Sequence, residues 1–287
     1  MPELPEVETV RRGLAPFLEG AVIESVTLNR PDLRFAFPEG FAARLSGQRI
    51  EHLGRRAKYL LATLSDGGTW LSHLGMTGGF LVSGQRLDEP SRLLSSSPAG
   101  KHVHFEARLL HPEHGPVRLA YTDPRRFGFM ALFPLGAANP YIDPLGPEPL
   151  GNALDALTLA MALQGKRGPI KTVLLDQRVI AGLGNIYVCE ALFGSGIDPR
   201  RPAGSLAAEE VGRLVVAIRD VLDAAIAAGG STLRDFANSE GQPGYFQHSF
   251  AVYGHEGDPC PRPGCGGQIA RIVQAGRSSF FCPVCQR

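Results

Sequence analysis

The sequence predicts an α+β chain of more than one domain: an N-terminal helix with a β-sandwich or barrel, then a helical region, then a small cysteine-bound hairpin. Three observations carry this. Short apolar segments, several of them alternating, fill residues 21–133 between Gly-, Pro- and Asp-rich turns, as many short strands require. The spacing becomes helical after a Pro/Gly-rich break at 134–151. Four of the five cysteines crowd into residues 260–285 as two close pairs. At 287 residues and 44% hydrophobic, the chain has core enough for two domains.

Taken in order, residues 5–18 read as an amphipathic helix, with Val7, Val10, Leu14, Phe17 and Leu18 on one face and Glu8, Arg11 and Arg12 away from it. Pro2 and Glu3 lie just before it, where a proline and an acid suit a first helical turn. Strands follow in AVIESVTL (21–28), KYLLATL (58–64), TWLSHLG (69–75), HVHFEARLL (102–110), VRLAYTD (117–123) and FGFMALF (127–133). Residues 135–151 form the linker, which sets boundaries at 1–134, 152–250 and 251–287. Helical spacing marks 152–163, 168–178, 185–193 and 206–228, and a loop-like stretch runs from 229 to 250.

Formal net charge is only +1, so no global field marks a polyanion partner, but the tail from Cys260 holds four arginines and no acid. No apolar run reaches membrane-spanning length and the first residues lack a signal-peptide core, so a cytosolic protein without membrane contact is expected. Cysteines in that setting point to metal before disulfides. Cys260 and Cys265 (C-x4-C), sixteen residues, then Cys282 and Cys285 (C-x2-C) suit a closed tetrahedral zinc site that folds the tail and leaves no position for water. QIARIV (268–273) and SSFFC (278–282) would form the hairpin between the pairs, with Arg277 at its turn. Cys189 stands apart as a small buried hydrophobe. His102 and His104 could be a metal pair on a strand, but no third ligand accompanies them.

PELPEVETVRRGL at the start, HLGMTG at 73–78, YTDPRRFG at 121–128, GLGNIY at 182–187 and the cysteine tail occur in that order. Together they resemble the formamidopyrimidine-DNA glycosylase family, bacterial repair enzymes for oxidised purines. The resemblance implies an N-terminal helix and β-sandwich, a helix–two-turn–helix domain with a zinc finger, and damaged duplex DNA bound by a monomer in the cleft between domains. It implies removal of an oxidised base followed by β- and δ-elimination, through a Schiff base on an N-terminal proline.

A secondary amine such as the Pro2 nitrogen, freed of Met1, can attack sugar C1′ and give a cationic imine directly. Glu3 is then placed to move protons at the opening sugar. Lys58, which alone would be a solvated edge lysine, becomes the residue that assists β-elimination, and Arg277 the one that grips phosphates and assists δ-elimination. His73 and His102 become DNA contacts, as do Lys166 and Asn185, the latter opening a helix; Lys171 is placed near the damaged base. Met76, Arg125 and Phe127 lie in tight turns, and apolar tips there suit wedging into the stack vacated by a flipped base. Residues 231–247 are expected to hold the loop that closes over that base. Two departures stand out: the first cysteine pair is two residues longer than the common C-x2-C, and Gly276-Arg277 replaces the usual Gln-Arg. The rival readings are an endonuclease VIII-like enzyme for oxidised pyrimidines, against which Leu4 speaks, and a non-catalytic damage-binding protein.

Overall fold

A computed structural model describes residues 2–84, 100, 102–231 and 245–287. The chain forms two compact units, Met1–Asp143 with Ala228–Gln247, and Pro144–Ala227 with His248–Arg287.

In the first unit, helix α1 (Leu4–Leu18) starts one residue before the apolar period suggests. Glu6 accepts the Glu3 N–H at 2.8 Å, and Pro5, which has no N–H to satisfy, occupies the first turn. Leu4, Val7, Val10, Leu14 and Leu18 are all buried. Strand β1 (Val22–Leu28) and the short helix α2 (Phe41–Leu45) precede β2 (Ile50–Arg56), β3 (Tyr59–Leu64), β4 (Thr69–His73) and β5 (Gly79–Gly84). Strands β6 (Val103–His111), β7 (Gly115–Thr122) and β8 (Phe129–Phe133) complete the unit. The described strands pair antiparallel as two four-stranded sheets, β1-β6-β7-β5 and β2-β3-β4-β8. Ile23, Phe80, Phe105, Leu109 and Leu119 of one sheet share a core with Leu53, Leu60, Leu64 and Trp70 of the other, and α1 contributes Val7, Val10 and Leu14. Trp70 meets Phe105 across it with ring centroids 5.2 Å apart. The sandwich alternative is therefore the one adopted.

Two strands and one helix escaped the sequence pattern. In β2 a register shift between Ile50 and His52 breaks the alternation, so only Ile50 and Leu53 are fully buried. Strand β5 is bounded by glycines, which read as turn. Glu8 differs as well: it does not face solvent but is gripped by Arg11 and Arg12 at 2.9 and 2.8 Å and by Arg55 of β2 at 3.2 Å. Burial alone would raise its pKa; hydrogen bonds from Arg11 and Arg12 and the charges of Arg11 and Arg55 overcome this and hold it at about 2. A carboxylate depressed in the folded state adds stability above its unfolded pKa of about 4.3 and loses it as pH falls toward 2. Glu8→Gln should therefore lower unfolding free energy by about 2–3 kcal/mol at pH 7, and the difference from the parent should shrink below pH 4 in denaturant titrations.

The second unit begins at Pro144, within the expected linker. Gly146 N–H donates to Gln177 O at 2.9 Å, and a Cβ there would lie 2.5 Å from Arg178 O, so this stretch is packed down. Helix α3 (Ala156–Leu163) is capped by Asp155, which accepts from Thr158 N–H. Helices α4 (Ile170–Leu174), α5 (Asn185–Ser195) and α6 (Ala208–Ala227) follow, and α5 packs along α6 with nearly all its residues buried. Strands β9 (Ala270–Gln274) and β10 (Arg277–Phe281) form the tail hairpin. Cys189 is 2% exposed and packs with Phe193, Val252, Ile269 and Cys282.

Residues 228–247, grouped with the helical domain by sequence, belong instead to the first unit. Within that unit the Ser231 N–H and hydroxyl both donate to Glu6 Oε1, at 2.8 and 2.9 Å. Most of the expected base-closing loop, 232–244, lies outside the described residues, as does Met1. No helix among the described residues is long and apolar enough to cross a membrane.

Candidate functional site

Pro2 and Glu3 are both buried, Glu3 to 3% exposure, at the N-terminal end of α1. Because the Glu3 N–H is taken by Glu6, the helix begins at Leu4 and the Pro2 nitrogen stands ahead of its first hydrogen-bonded turn. Lys58 follows Ala57, which adopts φ +52 at the tight turn between β2 and β3. Arg55 reaches over this turn, donating to Ala57 O at 2.9 Å while holding Glu8 on α1. The turn that carries Lys58 is thus tied to the helix that carries Glu3, and Lys58 is only 8% exposed.

His73 ends β4 opposite Tyr59, the residue after Lys58. Its ring stacks on Phe129 at 5.4 Å. Burial first, then the charges of Lys58 and Arg34, lower its pKa to about 4. The ring is neutral near pH 7, and since Nδ1 accepts the Gly75 N–H at 3.0 Å, the proton resides on Nε2. His73 is therefore a neutral donor, suited to a phosphate oxygen without adding charge.

The turn after His73 interlocks with the DPRRFG turn. A Cβ on Gly75 would lie 2.3 Å from Gly128 N, and one on Gly128 would lie 1.9 Å from the Tyr121 hydroxyl, so both positions require glycine. Between them the turns present Met76, half-buried, and Arg125 and Phe127, both exposed. Phe127 is 43% exposed, with the Arg125 guanidinium 4.9 Å from its ring centroid, so the phenyl group does not fold back into the sandwich. His102 is half-buried beside this region, its carbonyl accepting the Asp123 N–H at 3.2 Å.

In the second unit, Gln177 knits the two turns between α4 and α5: its amide donates to Leu175 O and Leu183 O and accepts the Gly182 N–H. Gly184 is the N-cap of α5, and Asn185 is its first helical residue instead of its cap. The Asn185 amide donates to Ser278 O of β10 at 2.9 Å. Lys166 is exposed, but Lys171 is not: it is fully buried, with its ammonium 2.7 Å from Ser278 O and 2.6 Å from Ser279 Oγ. Lys171, expected near the damaged base, thus has its ammonium engaged within the second unit. It joins α4 to the hairpin and fixes the strand next to Arg277. Arg277 itself is exposed, at a two-residue turn whose central residues Ala275 and Gly276 have φ +47 and +73, as a type I′ hairpin demands.

The four tail cysteines bring their sulfurs within 4.8 Å of one another. Cys260 and Cys285 Sγ are 3.7 Å apart and Cys265 and Cys282 Sγ 3.5 Å apart. A tetrahedron of thiolates at a Zn–S distance of about 2.3 Å has edges of about 3.8 Å, whereas a disulfide would need about 2.05 Å, so the donor set fits one zinc ion. The longer knuckle brings a contact of its own: Arg262 donates to Phe193 O near the end of α5 at 2.7 Å and lies over the Phe193 ring. Glu190, buried in α5, accepts the N–H groups of Ala251, Val252 and Tyr253 just ahead of the finger.

Gln177, Glu190, Glu6 and Asp123 were not singled out from sequence. Glu190, Glu6 and Asp123 are buried and Gln177 is half-buried, and each acts through hydrogen bonds that no apolar period reports.

Three family patterns cover the chain: the formamidopyrimidine-DNA glycosylase N-terminal domain over residues 1–130, the H2TH domain of the same enzymes over 145–237, and the zinc finger found in FPG and IleRS over 257–287. Formamidopyrimidine-DNA glycosylases of Brucella canis and Ruegeria pomeroyi are each 55% identical to it, with the whole of both chains covered. A solved Lactococcus lactis Fpg bound to DNA containing an abasic site is 34% identical with a TM-score of 0.85 over all of both chains. The MutM (Fpg) protein of Thermus thermophilus is 42% identical with a TM-score of 0.83, over 99% of this chain and 98% of that one. The zinc finger with its four cysteines, the helix–two-turn–helix region and the N-terminal sandwich therefore form one continuous likeness, and the chain belongs to the formamidopyrimidine-DNA glycosylase family.

Proposed function

We propose that this protein is a bifunctional DNA glycosylase and AP lyase of base excision repair, acting on oxidised purines such as 8-oxoguanine and formamidopyrimidines. In this reading the Pro2 nitrogen, freed by removal of Met1, attacks C1′ of the damaged nucleotide. Its lone pair forms the new C–N bond as the glycosidic bond breaks and the base departs. The nitrogen then loses its proton and its lone pair opens the C1′–O4′ bond as O4′ takes up a proton. The cationic imine so formed acidifies C2′, and β-elimination and then δ-elimination expel the two flanking phosphates and leave a one-nucleotide gap. Glu3 moves protons at the opening sugar, Lys58 assists the first elimination, and Arg277 holds phosphate and assists the second. His73, His102, Lys166 and Asn185 contact DNA, while Met76, Arg125 and Phe127 fill the gap in the stack. Lys171 has no direct part, since its ammonium is consumed within the fold. One zinc ion, held by Cys260, Cys265, Cys282 and Cys285, would fold the hairpin that presents Arg277 and supply no other chemistry.

The observation that carries this reading is the start of α1 at Leu4, with buried Glu3 tethered by Glu6 and Pro2 left ahead of the helix. The protein acts as a monomer on double-stranded DNA in the bacterial cytosol, and its affinity falls steeply with salt because several Arg and Lys meet phosphates. Substrate choice is tested by single-turnover release of 8-oxoguanine opposite cytosine against thymine glycol opposite adenine. Faster release of 8-oxoguanine is expected. Faster pyrimidine release would assign the endonuclease VIII-like activity, and release of neither by protein with a free N-terminal proline would assign a damage-binding role.

A further inference from the structure

The side chains proposed to enter the DNA stack come from two separate turns, 73–78 and 123–128, and one buried carboxylate fastens the turns together. Asp123 is 0% exposed. Its Oδ1 accepts the Thr77 hydroxyl at 2.5 Å, and its Oδ2 accepts the Gly128 N–H at 2.8 Å. Thr77 Oγ1 accepts in turn the Arg125 N–H at 3.1 Å, closing a ring of bonds from the Met76 turn to the residue that carries the arginine tip. The Asp123 carbonyl accepts the Arg126 N–H at 3.2 Å and lies 2.9 Å from His104 Nε2. Arg126, between Arg125 and Phe127, is held at φ +57, a left-handed conformation that a free turn of L-residues seldom keeps. Gly75 against Gly128 makes the approach of the two turns close enough for these bonds.

We infer that Asp123 is a positioning residue for base eviction: with Thr77 it locks the two turns into one preformed wedge, so that Met76, Arg125 and Phe127 meet the duplex together. This rests on the wedge role proposed above. The physical reason is preorganisation. Two independent loops would have to be ordered at the moment the stack opens, whereas a charge-assisted ring within a buried site orders them beforehand. An ordinary turn stabiliser would raise folding stability and affect all reactions alike. A wedge lock affects those reactions that require a stacked base to be displaced.

Asp123→Asn and Thr77→Val are compared with Thr77→Ser, which keeps the hydroxyl, and with Phe127→Ala. Each is assayed for single-turnover release of 8-oxoguanine from duplex DNA, for cleavage of a preformed abasic site in a single strand, and for thermal unfolding. Duplex excision should fall about tenfold or more in Asp123→Asn and Thr77→Val. Single-strand cleavage should hold in both, and Thr77→Ser should recover excision. Equal loss on the two substrates would overturn the inference and leave Asp123 a residue of the fold alone. Loss of excision in Phe127→Ala, with none in Asp123→Asn or Thr77→Val, would overturn it while sparing the wedge. Full excision by Phe127→Ala would remove the wedge reading and the inference with it.

Discussion

Capping the Pro2 nitrogen, with an acetyl group or a retained methionine, is expected to lower strand cleavage at 8-oxoguanine by about a thousandfold or more. An amide nitrogen has its lone pair delocalised and cannot attack C1′, whereas a free α-amino group has a pKa of about 8 and is partly unprotonated near neutrality. No backbone rearrangement should accompany the cap, because α1 is fixed by Leu4, Val7 and Val10 in the core and by the Glu3–Glu6 bond, all downstream of the nitrogen. Affinity for DNA with a stable abasic analogue should therefore stay close to that of the free form. Single-turnover cleavage and equilibrium binding, measured on N-terminally defined preparations, separate the two effects. Equal cleavage by capped and free protein would remove Pro2 from the chemistry.

Replacing Cys282 with Ser is expected to release the metal and unfold the β9–β10 hairpin. Cys282 is fully buried, and a Cβ on Gly267 would come within 2.8 Å of its sulfur, so the knuckle is built closely around this ligand. Structural zinc contributes about 10–16 kcal/mol of binding energy in small fingers, and losing one thiolate forfeits much of it. The consequence for DNA runs through Arg277. Its strand is held by Lys171 and Asn185 at the Ser278 carbonyl, and those bonds cannot form to an unfolded hairpin. Metal analysis should show loss of one zinc per chain, and log affinity against log salt should become both weaker and shallower, as removal of phosphate contacts requires. Unchanged affinity in metal-free protein would show that the finger does not hold DNA.

The parts of the site legible in sequence are those whose chemistry is local. The cysteine spacing alone specifies a tetrahedral metal site, and the structure gathers the four sulfurs. The DPRRFG turn exposes Phe127, as a tight turn with an apolar tip suggests. What stayed hidden depends on contacts distant in the chain. Lys171 sits in a basic run that reads as a solvated face, yet its partner Ser279 is 108 residues away. Glu8 falls on the polar face of a helix, and Arg55 of β2, 47 residues on, meets it there. Asp123 looks like a turn-former before proline; its bond to Thr77, 46 residues earlier, makes it the joint between two loops. Strand β2 was obscured by its bulge, because a shifted register destroys the two-residue period by which strands are recognised. Ala228–Gln247 group with the first unit, where Ser231 bonds Glu6, 225 residues earlier, a contact that no periodicity reports.

A covalent imine is expected to form between the sugar and the first nitrogen of the mature chain. Borohydride reduction during reaction with 8-oxoguanine duplex, followed by proteolysis and mass analysis of the adducted peptide, tests it most directly. The expected result is a stable protein–DNA adduct whose modified peptide begins at Pro2, with the deoxyribose remnant on the proline nitrogen. An adduct mapped to a lysine such as Lys58, or efficient base release with no adduct at all, would contradict it.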